Sequence, residues 1–256
     1  MENTGQPGLL TEHGLSLYIE TKDHKILFDA GQTGAFADNA RALGVSLEDI
    51  DIAILSHGHY DHSGGLLRFM EINDHAPVYV SRNAFENFYS GPEKYIGLNP
   101  TLKNHPRFIL TDDETDLGSG MTLNTMNGAK ARYSSFGKGL TVEKNGIHEP
   151  DPFLHEQYLT ICENRKKVVF SGCSHKGVIN IVSWLSPDVL IGGFHFMKLD
   201  PEGADRQTLI DAADNLCSSS TEFYTCHCTG EAPYAFLKPI MGEKLDYISC
   251  GQTIII

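Results

Sequence analysis

Three histidines and an aspartate lie within six consecutive residues and offer the nitrogen and oxygen atoms that divalent metals bind; they are His57, His59, Asp61 and His62. Zinc accepts such ligands at about 2.0–2.2 Å. Residues two apart in an extended segment point the same way, so His57 and His59 can hold one ion from the same side. Asp61 and His62 are adjacent, and where the chain enters a helix both can face a second position beside the first. The segment therefore predicts a metal site with room for two ions.

The elements predicted on either side of this segment would position it. The run Ile50–Leu55 alternates and is rich in β-branched residues, which predicts a buried strand that ends at the ligands. Gly58 allows an unusual backbone conformation where the chain leaves that strand. A helix is predicted from about residue 64 to 72. The alternative is a surface loop that is merely rich in histidine, but isolated histidines rather than clusters are the usual background.

The segment from His57 to His62 resembles the His-x-His-x-Asp-His signature of the metallo-β-lactamase superfamily. Three further stretches are similar to strands of that family that end at the metal site: Lys25–Gly31, Val168–His175 and Phe223–Gly230. Four shorter stretches resemble one subgroup, the dihydropterin ribofuranosyl-aminobenzene phosphate synthase-like hydrolases: Glu12–Ser16, Gly172–His175, Gly192–His195 and His227–Gly230. The resemblance spans nearly the whole chain and implies an α/β fold, a four-layer αβ/βα sandwich.

Length and composition fit a single domain over residues 1–256, with an irregular insert around 91–152 that flanks the site. The formal net charge of −13 disfavours binding to nucleic acid. No apolar run approaches the length of a membrane span and no secretory signal is recognisable, so we expect a cytoplasmic protein that does not bind membranes. The six cysteines are sparse for a disulfide scaffold and are expected to be reduced thiols.

Patterning along the chain predicts alternating strands and helices. Strands are expected at Ser16–Glu20, Lys25–Asp29, Pro77–Val80, Arg107–Leu110, Met121–Met126, Gln157–Cys162, Lys167–Ser171, Val189–Gly192, Glu222–Thr225 and Tyr247–Cys250. Helices are expected at Phe36–Leu43, Arg82–Tyr89, Gly177–Leu185, Arg206–Leu216 and Ala232–Leu237.

Two residues outside the first segment are candidates for completing the site. Asp29 ends a strand, and the resemblance implies that its carboxylate orients a ligating imidazole; a simple turn residue is the alternative. His227 lies between Cys226 and Cys228. Strand alternation would put its imidazole on one face and both thiols on the other. We therefore predict His227 as a ligand of the second ion and both cysteines as packing residues.

The remaining ligand of the first ion is either His155 or His175. His155 precedes the predicted strand Gln157–Cys162, where the resemblance places the third histidine of many members. His175 follows the predicted strand Lys167–Ser171 and lies in the Gly-Cys-Ser-His stretch of the subgroup. We predict His175, because metal ligands in such folds collect at strand ends.

The residue after Gly172 departs from the resemblance. The superfamily usually has an aspartate there that bridges two ions, whereas this chain has Cys173. Cysteine binds zinc or iron at about 2.3 Å but does not reproduce a bridging carboxylate. We therefore predict one or two divalent metal ions, with zinc favoured over manganese or iron, and the number of ions stays open.

These ligands favour metal-assisted hydrolysis, in which a metal-bound hydroxide forms because the ion lowers the pKa of its water to about 7. Asp61 would hold the second ion and accept the proton of that water. His195 follows a predicted strand and two glycines, and is predicted as a proton donor or a contact to an anionic substrate group; a core histidine is the alternative. The expected substrate is a phosphate-bearing or ester small molecule, and the resemblance implies one related to a pterin.

Two other classes of function stay open, and the sequence predicts neither the identity of the physiological substrate nor the oligomeric state. One is an iron-dependent oxidoreductase or dioxygenase of the same fold, with which Cys173 is compatible; the other is a metal-binding protein without turnover. The segment 127–148 bears on the substrate, since its basic residues outnumber Glu143: they are Lys130, Arg132, Lys138 and Lys144. Its glycines would make it flexible, so it is either a lid for a phosphate or an ordinary solvated loop.

Overall fold

The computed structural model describes residues 1–136 and 139–256. Its strands are β1 (Leu17–Glu20), β2 (Lys25–Phe28), β3 (Ile52–Ile54), β4 (Val78–Ser81), β5 (Asn87–Ser90), β6 (Lys94–Tyr95), β7 (Phe108–Thr111), β8 (Glu114–Gly118), β9 (Met121–Asn124), β10 (Leu140–Lys144), β11 (Ile147–Pro150), β12 (Tyr158–Glu163), β13 (Lys166–Ser171), β14 (Val189–Gly192), β15 (Glu222–Thr225) and β16 (Leu245–Tyr247). Its α-helices are α1 (Ala35–Ala42), α2 (Tyr60–Ser63), α3 (Leu66–Ile72), α4 (Val178–Leu185), α5 (Arg206–Cys217) and α6 (Glu231–Met241). Single turns of 3-10 helix lie at Pro100–Leu102, His227–Thr229 and Gly242–Lys244.

Most strands belong to two large sheets. One has the order β1-β2-β3-β4-β7; β1 and β2 form the predicted antiparallel hairpin, and the other neighbours are parallel. The second has the order β16-β15-β14-β13-β12-β9-β8 and is parallel from β16 to β13 and antiparallel beyond. Parallel neighbours end at the same edge of their sheet, so the loops after β13, β14 and β15 leave the second sheet together.

The two large sheets pack face to face, and helices cover their outer faces. Ile26 and Phe28 of β2 fill the space between the sheets together with Ile161 and Phe170 from the opposite sheet. Leu27 points to the other face of β2 and packs with residues of α1 and α3. Residues of α4, α5 and α6 cover the outer face of the second sheet. The layers thus run helix, sheet, sheet, helix, which confirms the four-layer αβ/βα sandwich.

One predicted element is wrong, and another is shifted along the chain. The helix expected over Arg82–Tyr89 is instead a series of turns over 82–86 followed by β5. Phe88 of β5 is buried against Leu140 of β10, so pairing with a strand distant in the sequence outweighs the local helical pattern. The strand expected over Tyr247–Cys250 lies two residues earlier as β16, because it pairs with β15 from Leu245 to Tyr247. The other predicted strands and helices form within a few residues of their expected bounds.

A third sheet packs beside the predicted metal segment. It is antiparallel, has the order β11-β10-β5-β6, and draws three strands from the region between residues 91 and 152, where the sequence shows little pattern. Phe88 and Phe153 belong to its small core, and Tyr60 of α2 packs against that core. Among the described residues, no helix is both long enough and apolar enough to cross a membrane.

Candidate metal centre

Loops that follow β3, β13 and β15 carry the predicted metal ligands. The loop after β3 and the short helix α2 contribute the first four, and the loops after β13 and β15 contribute the other two: His57, His59, Asp61, His62, His175 and His227. All six are buried. Because β3 belongs to one large sheet and β13 and β15 to the other, the ligands meet where the two sheets face each other.

A first cluster consists of three imidazoles that the structure brings together as predicted. The nearest ring nitrogens of His57, His59 and His175 all lie within 4.8 Å of one another. The Nε2 atoms of His57 and His175 are 3.3 Å apart. Nε2 of His59 and Nδ1 of His175 are buried without a hydrogen-bond partner in the described part of the chain. The 3.3 Å contact shows that His175 turns Nε2 toward His57, so the three rings bring nitrogens together as the ligands of one divalent metal would be.

Asp29 orients two of the histidines, as the resemblance implied for one. Its carboxylate accepts hydrogen bonds from the N–H and the hydroxyl of Ser56, both at 2.7 Å. It also lies 2.6 Å from Nδ1 of His62. Because the Ser56 hydroxyl donates to Asp29, its oxygen is left to accept from Nδ1 of His57, 2.8 Å away. Both imidazoles therefore turn Nε2 toward the centre of the site.

His155 lies beside the first cluster but has both ring nitrogens engaged elsewhere. Its Nδ1 accepts the N–H of Gly58 at 2.8 Å, and its Nε2 lies 3.0 Å from Asp151 Oδ2. His155 thereby supports the backbone between His57 and His59. The structure thus groups His175, and not His155, with the first pair of histidines.

A second cluster surrounds the carboxylate of Asp61. Its Oδ2 lies 3.4 Å from Nε2 of His227 and 3.8 Å from Nε2 of His62, the two predicted companions. It also lies 3.5 Å from Nε2 of His13, whose ring stacks on that of His227 with centroids 4.7 Å apart. The sequence interpretation missed His13 as a site residue, although its Glu-His-Gly stretch belongs to the subgroup resemblance.

The two cysteines that flank His227 differ in position, contrary to the prediction from strand alternation. β15 ends at Thr225, and His227 begins a single turn of 3-10 helix with a φ of +50°. Cys226 packs in the core between the sheets. The sulfur of Cys228 instead lies within 4.8 Å of the ligand atoms of both His227 and Cys173. The period-two argument fails because the strand ends before these residues.

Burial sets the protonation of the first cluster. The pKa of His59 is lowered to about 3, chiefly because burial penalises the charged ring. Burial, together with neighbouring imidazoles, also holds the pKa values of His57 and His175 well below the ordinary range. Burial lowers the pKa of His62 too, but the nearby carboxylates, Asp29 first, raise it to about 9. The first cluster is therefore neutral near pH 7 and offers lone pairs to a metal.

Comparison with known proteins agrees with this geometry. The model of the metallo-beta-lactamase superfamily matches residues 11–128. The chain is 32% identical over 275 residues to the 7,8-dihydropterin-6-methyl-4-(beta-D-ribofuranosyl)-aminobenzene-5'-phosphate synthase of Methanocaldococcus jannaschii, which covers 95% of this chain and 90% of the relative. The chain belongs to the metallo-β-lactamase superfamily. An uncharacterized protein of the same organism is 29% identical over 90% of this chain and 89% of its own length.

A solved structure extends the similarity to the whole superfamily fold. The crystal structure of a metal-dependent hydrolase of the β-lactamase superfamily aligns with 100% of this chain and 96% of its own, with a TM-score of 0.85 and 28% identity. In this chain, Cys173 takes the place of the aspartate that the superfamily signature leads one to expect, and its Sγ lies 3.2 Å from Nε2 of His62. The described residues therefore offer a divalent metal a nitrogen-rich first position and a second position with both oxygen and sulfur.

His195 lies at the rim of this metallo-β-lactamase site, as predicted. It is half-buried and its ring centroid is 4.4 Å from that of His175. Its Nδ1 is buried without a hydrogen-bond partner among the described residues, and its φ of +57° is unusual for a residue other than glycine. Such strain at a functional edge is retained only where the surroundings enforce it. The remaining wall is aromatic, since Phe153 stacks on His175 with centroids 4.6 Å apart.

The basic segment 127–148 is fastened to the rest of the molecule over most of its described length. The N–H of Arg132 donates to the side-chain oxygen of Asn180 on α4 at 2.9 Å. The indole of Trp184, also on α4, donates to the carbonyl of Lys130 at 3.3 Å. Lys144 ends β10 in the third sheet, and Lys138 lies outside the described residues. A lid function for this segment stays a prediction.

Proposed function

We propose that the protein is a metal-dependent hydrolase that cleaves a phosphate-bearing or ester bond of a small molecule. The observation that carries the proposal is the first cluster, in which three buried imidazoles each bring a ring nitrogen within 4.8 Å of the other two. Neutral imidazoles gathered this closely can bind one ion through their lone pairs, and an apolar core has little structural use for them. They are the ligands that zinc prefers in catalytic sites.

His57, His59 and His175 would hold the first ion, and Asp61, His62 and His227 the second. Zinc fits these ligands best, with manganese or iron as alternatives. A bound ion supplies hydroxide at neutral pH, because it lowers the pKa of coordinated water from 15.7 to about 7. A substrate that enters from the exposed side would reach the ions past His13 and His195, the two site histidines that are not fully buried.

Asp61 and His195 have different roles in this proposal. Burial raises the pKa of Asp61, but His62 and His227 outweigh burial and hold it well below its usual range. An ionised Asp61 is suited to holding a cation and to accepting a hydrogen bond from water. His195 lies beside His175 with a buried Nδ1 that has no partner among the described residues, and it is suited to donate a proton to the leaving oxygen.

A pterin-linked phosphate is the substrate class we favour. The support is the 32% identity to a synthase whose name contains a dihydropterin and a 5'-phosphate. The free thiols of the chain support a reducing, cytoplasmic setting.

Metal analysis and a substrate screen test this function together. We expect protein purified without added metal to contain zinc or manganese, and to hydrolyse members of a panel of phosphomonoesters, phosphodiesters and carboxylic esters. His59→Ala should lose the activity, whereas Cys162→Ser, on an exposed strand end, should keep it. A coloured iron centre with oxygen-dependent turnover would instead indicate an iron-dependent oxidoreductase. Bound metal without turnover of any ester would favour a metal-binding protein that is not an enzyme.

A further inference from the structure

The sulfur atoms of Cys173 and Cys228 lie together at the second metal position. Both residues are almost completely buried, at 2% and 1% exposure. Their sulfurs and the ligand nitrogen of His227 lie within 4.8 Å of one another. The Cys173 sulfur also lies 3.2 Å from Nε2 of His62. In a tetrahedral zinc site with bonds of about 2.0–2.3 Å, the ligand atoms are separated by about 3.3–3.8 Å. Cys173, His227 and Cys228 are therefore gathered close to the scale of one ion, and His62 adjoins them through its contact with Cys173.

The chain makes room for the second of these sulfurs. A Cβ atom built on Gly193 would lie 2.3 Å from the sulfur of Cys228, so any other residue at position 193 would displace the thiol. The turn His227–Thr229 brings Cys228 to the same side as His227, where a continued strand would have turned it away. The thiol is also directed at the backbone of the neighbouring loop, since it donates to the carbonyl of Cys173 at 3.5 Å.

Ordinary packing explains Cys226 but not Cys228. Cys226 has apolar neighbours on both sheets and belongs to the core between them. Cys228 instead lies against a histidine, a second thiol and the backbone of a glycine, and it is absent from the apolar clusters of the described residues. A buried thiol with polar neighbours that are themselves metal ligands has the surroundings of a ligand.

We propose that Cys228 joins Cys173 as a second sulfur ligand, so that the second position takes a thiophilic divalent ion such as zinc and discriminates against magnesium and manganese. This inference rests on the proposed metal centre but not on its hydrolytic activity. Thiolates favour zinc over hard cations, which prefer oxygen ligands. The second position would thus bind its ion through two sulfur atoms, although it lacks the aspartate that the superfamily uses to bridge two ions.

Cobalt(II) is the probe that reports sulfur ligands directly. Metal-free protein titrated with two equivalents of cobalt should develop the intense near-ultraviolet thiolate-to-cobalt charge-transfer band as the second equivalent binds. Cys173→Ser and Cys228→Ser should each lower that band to about half, while the visible bands of cobalt bound to histidine remain. Two matched controls should keep the full band: Cys226→Ser, two residues before Cys228, and Cys217→Ser. A full band in Cys228→Ser with the fold intact would overturn the proposal.

X-ray absorption at the zinc edge of the unmodified protein guards against variants that fail to fold. Protein loaded with two equivalents of zinc should show a shell of sulfur at about 2.3 Å that averages about one sulfur per zinc, beside the nitrogen and oxygen neighbours. An average of about half a sulfur per zinc would mean that Cys173 binds without Cys228 and would contradict the proposal, as would a shell without sulfur. A protein with the sulfur band but no esterase activity would overturn the proposed function and leave this site standing.

Discussion

At the scale of single residues, Asp29 connects the two metal positions. One carboxylate contacts His62 directly and reaches His57 through the hydroxyl of Ser56. That Asp29 orients a ligand could be predicted from the sequence only through the resemblance to the superfamily, since a turn residue was the alternative at that strand end. The sequence was not enough to predict the second contact, since Ser56 looks like any polar residue at a strand end.

We expect zinc binding at the second position to release the proton of His62. Although burial opposes it, Asp29 and Asp61 raise the pKa of His62 to about 9, so the metal-free ring is protonated at pH 7 and must lose a proton for Nε2 to bind. The share of His62 in this release should be close to one proton at pH 7 and fall toward zero as the pH rises past about 9, in addition to the protons that the cysteine ligands lose. Calorimetric titration with zinc in buffers of different ionisation enthalpy measures the number of protons.

Asp29→Asn is the matched variant for this measurement. Without the negative charge the pKa of His62 falls, so the variant should release about one proton fewer at pH 7 than the parent protein. Protons from the cysteine ligands are common to both proteins and cancel in the difference. Zinc affinity should also fall by roughly 10–100-fold, as is usual when a carboxylate behind a ligating histidine is lost. Equal proton release by the two proteins would show that Asp29 does not set the charge of His62.

His175 and His155 give opposite predictions for the first position. His175→Ala removes a nitrogen from the first cluster and should abolish binding of one zinc equivalent. His155→Ala removes a support of Gly58 and should weaken that zinc by roughly 10–100-fold while the stoichiometry stays the same. Competition with a chromophoric chelator measures both quantities. The assignment fails if His155→Ala, rather than His175→Ala, lowers the stoichiometry.

At the scale of elements, the sequence predicts best the strands and helices that bury a regular apolar face. β2, β13, β14 and α5 form where the alternation or helical period indicates. The third sheet and the turn at His227–Thr229 could not be predicted in this way. β5 forms because Phe88 finds a core made by β10, and the turn forms where β15 ends, so both depend on contacts across the fold. The turn is also the element that decides where Cys228 points.

The N-terminal segment is a further element that patterning missed, and it holds the loop of His227. Glu2 is buried, and its Oε1 accepts the N–H of His227 and the hydroxyl of Tyr247, each at 2.6 Å. Asn3 donates from its side chain to the carbonyl of His227 at 3.2 Å. Two residues at the start of the chain thus fix the position of a ligand more than 220 residues away.

Glu2→Gln should therefore weaken the second zinc and leave the first unchanged. The carboxylate accepts through both oxygens, since Oε2 takes the N–H and the hydroxyl of Thr4 while Oε1 takes His227 and Tyr247. The amide keeps the size of the side chain but replaces one of these acceptor oxygens by a donor, so one pair of donors loses its partner. We expect a loss of roughly 10–100-fold in affinity for the second ion only. The chelator competition resolves the two ions. Glu20→Gln, on the exposed edge strand β1, is the control and should bind both ions like the parent. An equal loss for both ions would indicate general destabilisation instead.

At the scale of the whole molecule, the site joins the two halves of the sandwich. The segment His57–His62 comes from the first large sheet, while Cys173, His175 and His227 follow strands of the second. Between them lies the apolar core that both sheets share. The superfamily motifs indicated that the ligands come from several strands in both halves of the chain, whereas the net charge of −13 carries no information about where the ligands lie. An ion held by ligands of both sheets would stabilise the folded state alone, because the unfolded chain does not assemble the site.

Metal removal should for this reason lower the stability of the whole fold. A ligand that binds the native state alone adds about 2.7 kcal/mol when its free concentration is 100 times its dissociation constant. For a chain of this size, each kcal/mol shifts Tm by roughly 2–4 °C, so each zinc ion bound at that concentration should raise Tm by roughly 5–10 °C relative to protein dialysed against a chelator. Scanning calorimetry with and without zinc measures the shift. In His59→Ala combined with His227→Ala, which lacks a ligand at each position, the two traces should nearly coincide. If the Tm of the parent protein changes with neither zinc nor chelator, these histidines do not bind a metal that stabilises the fold.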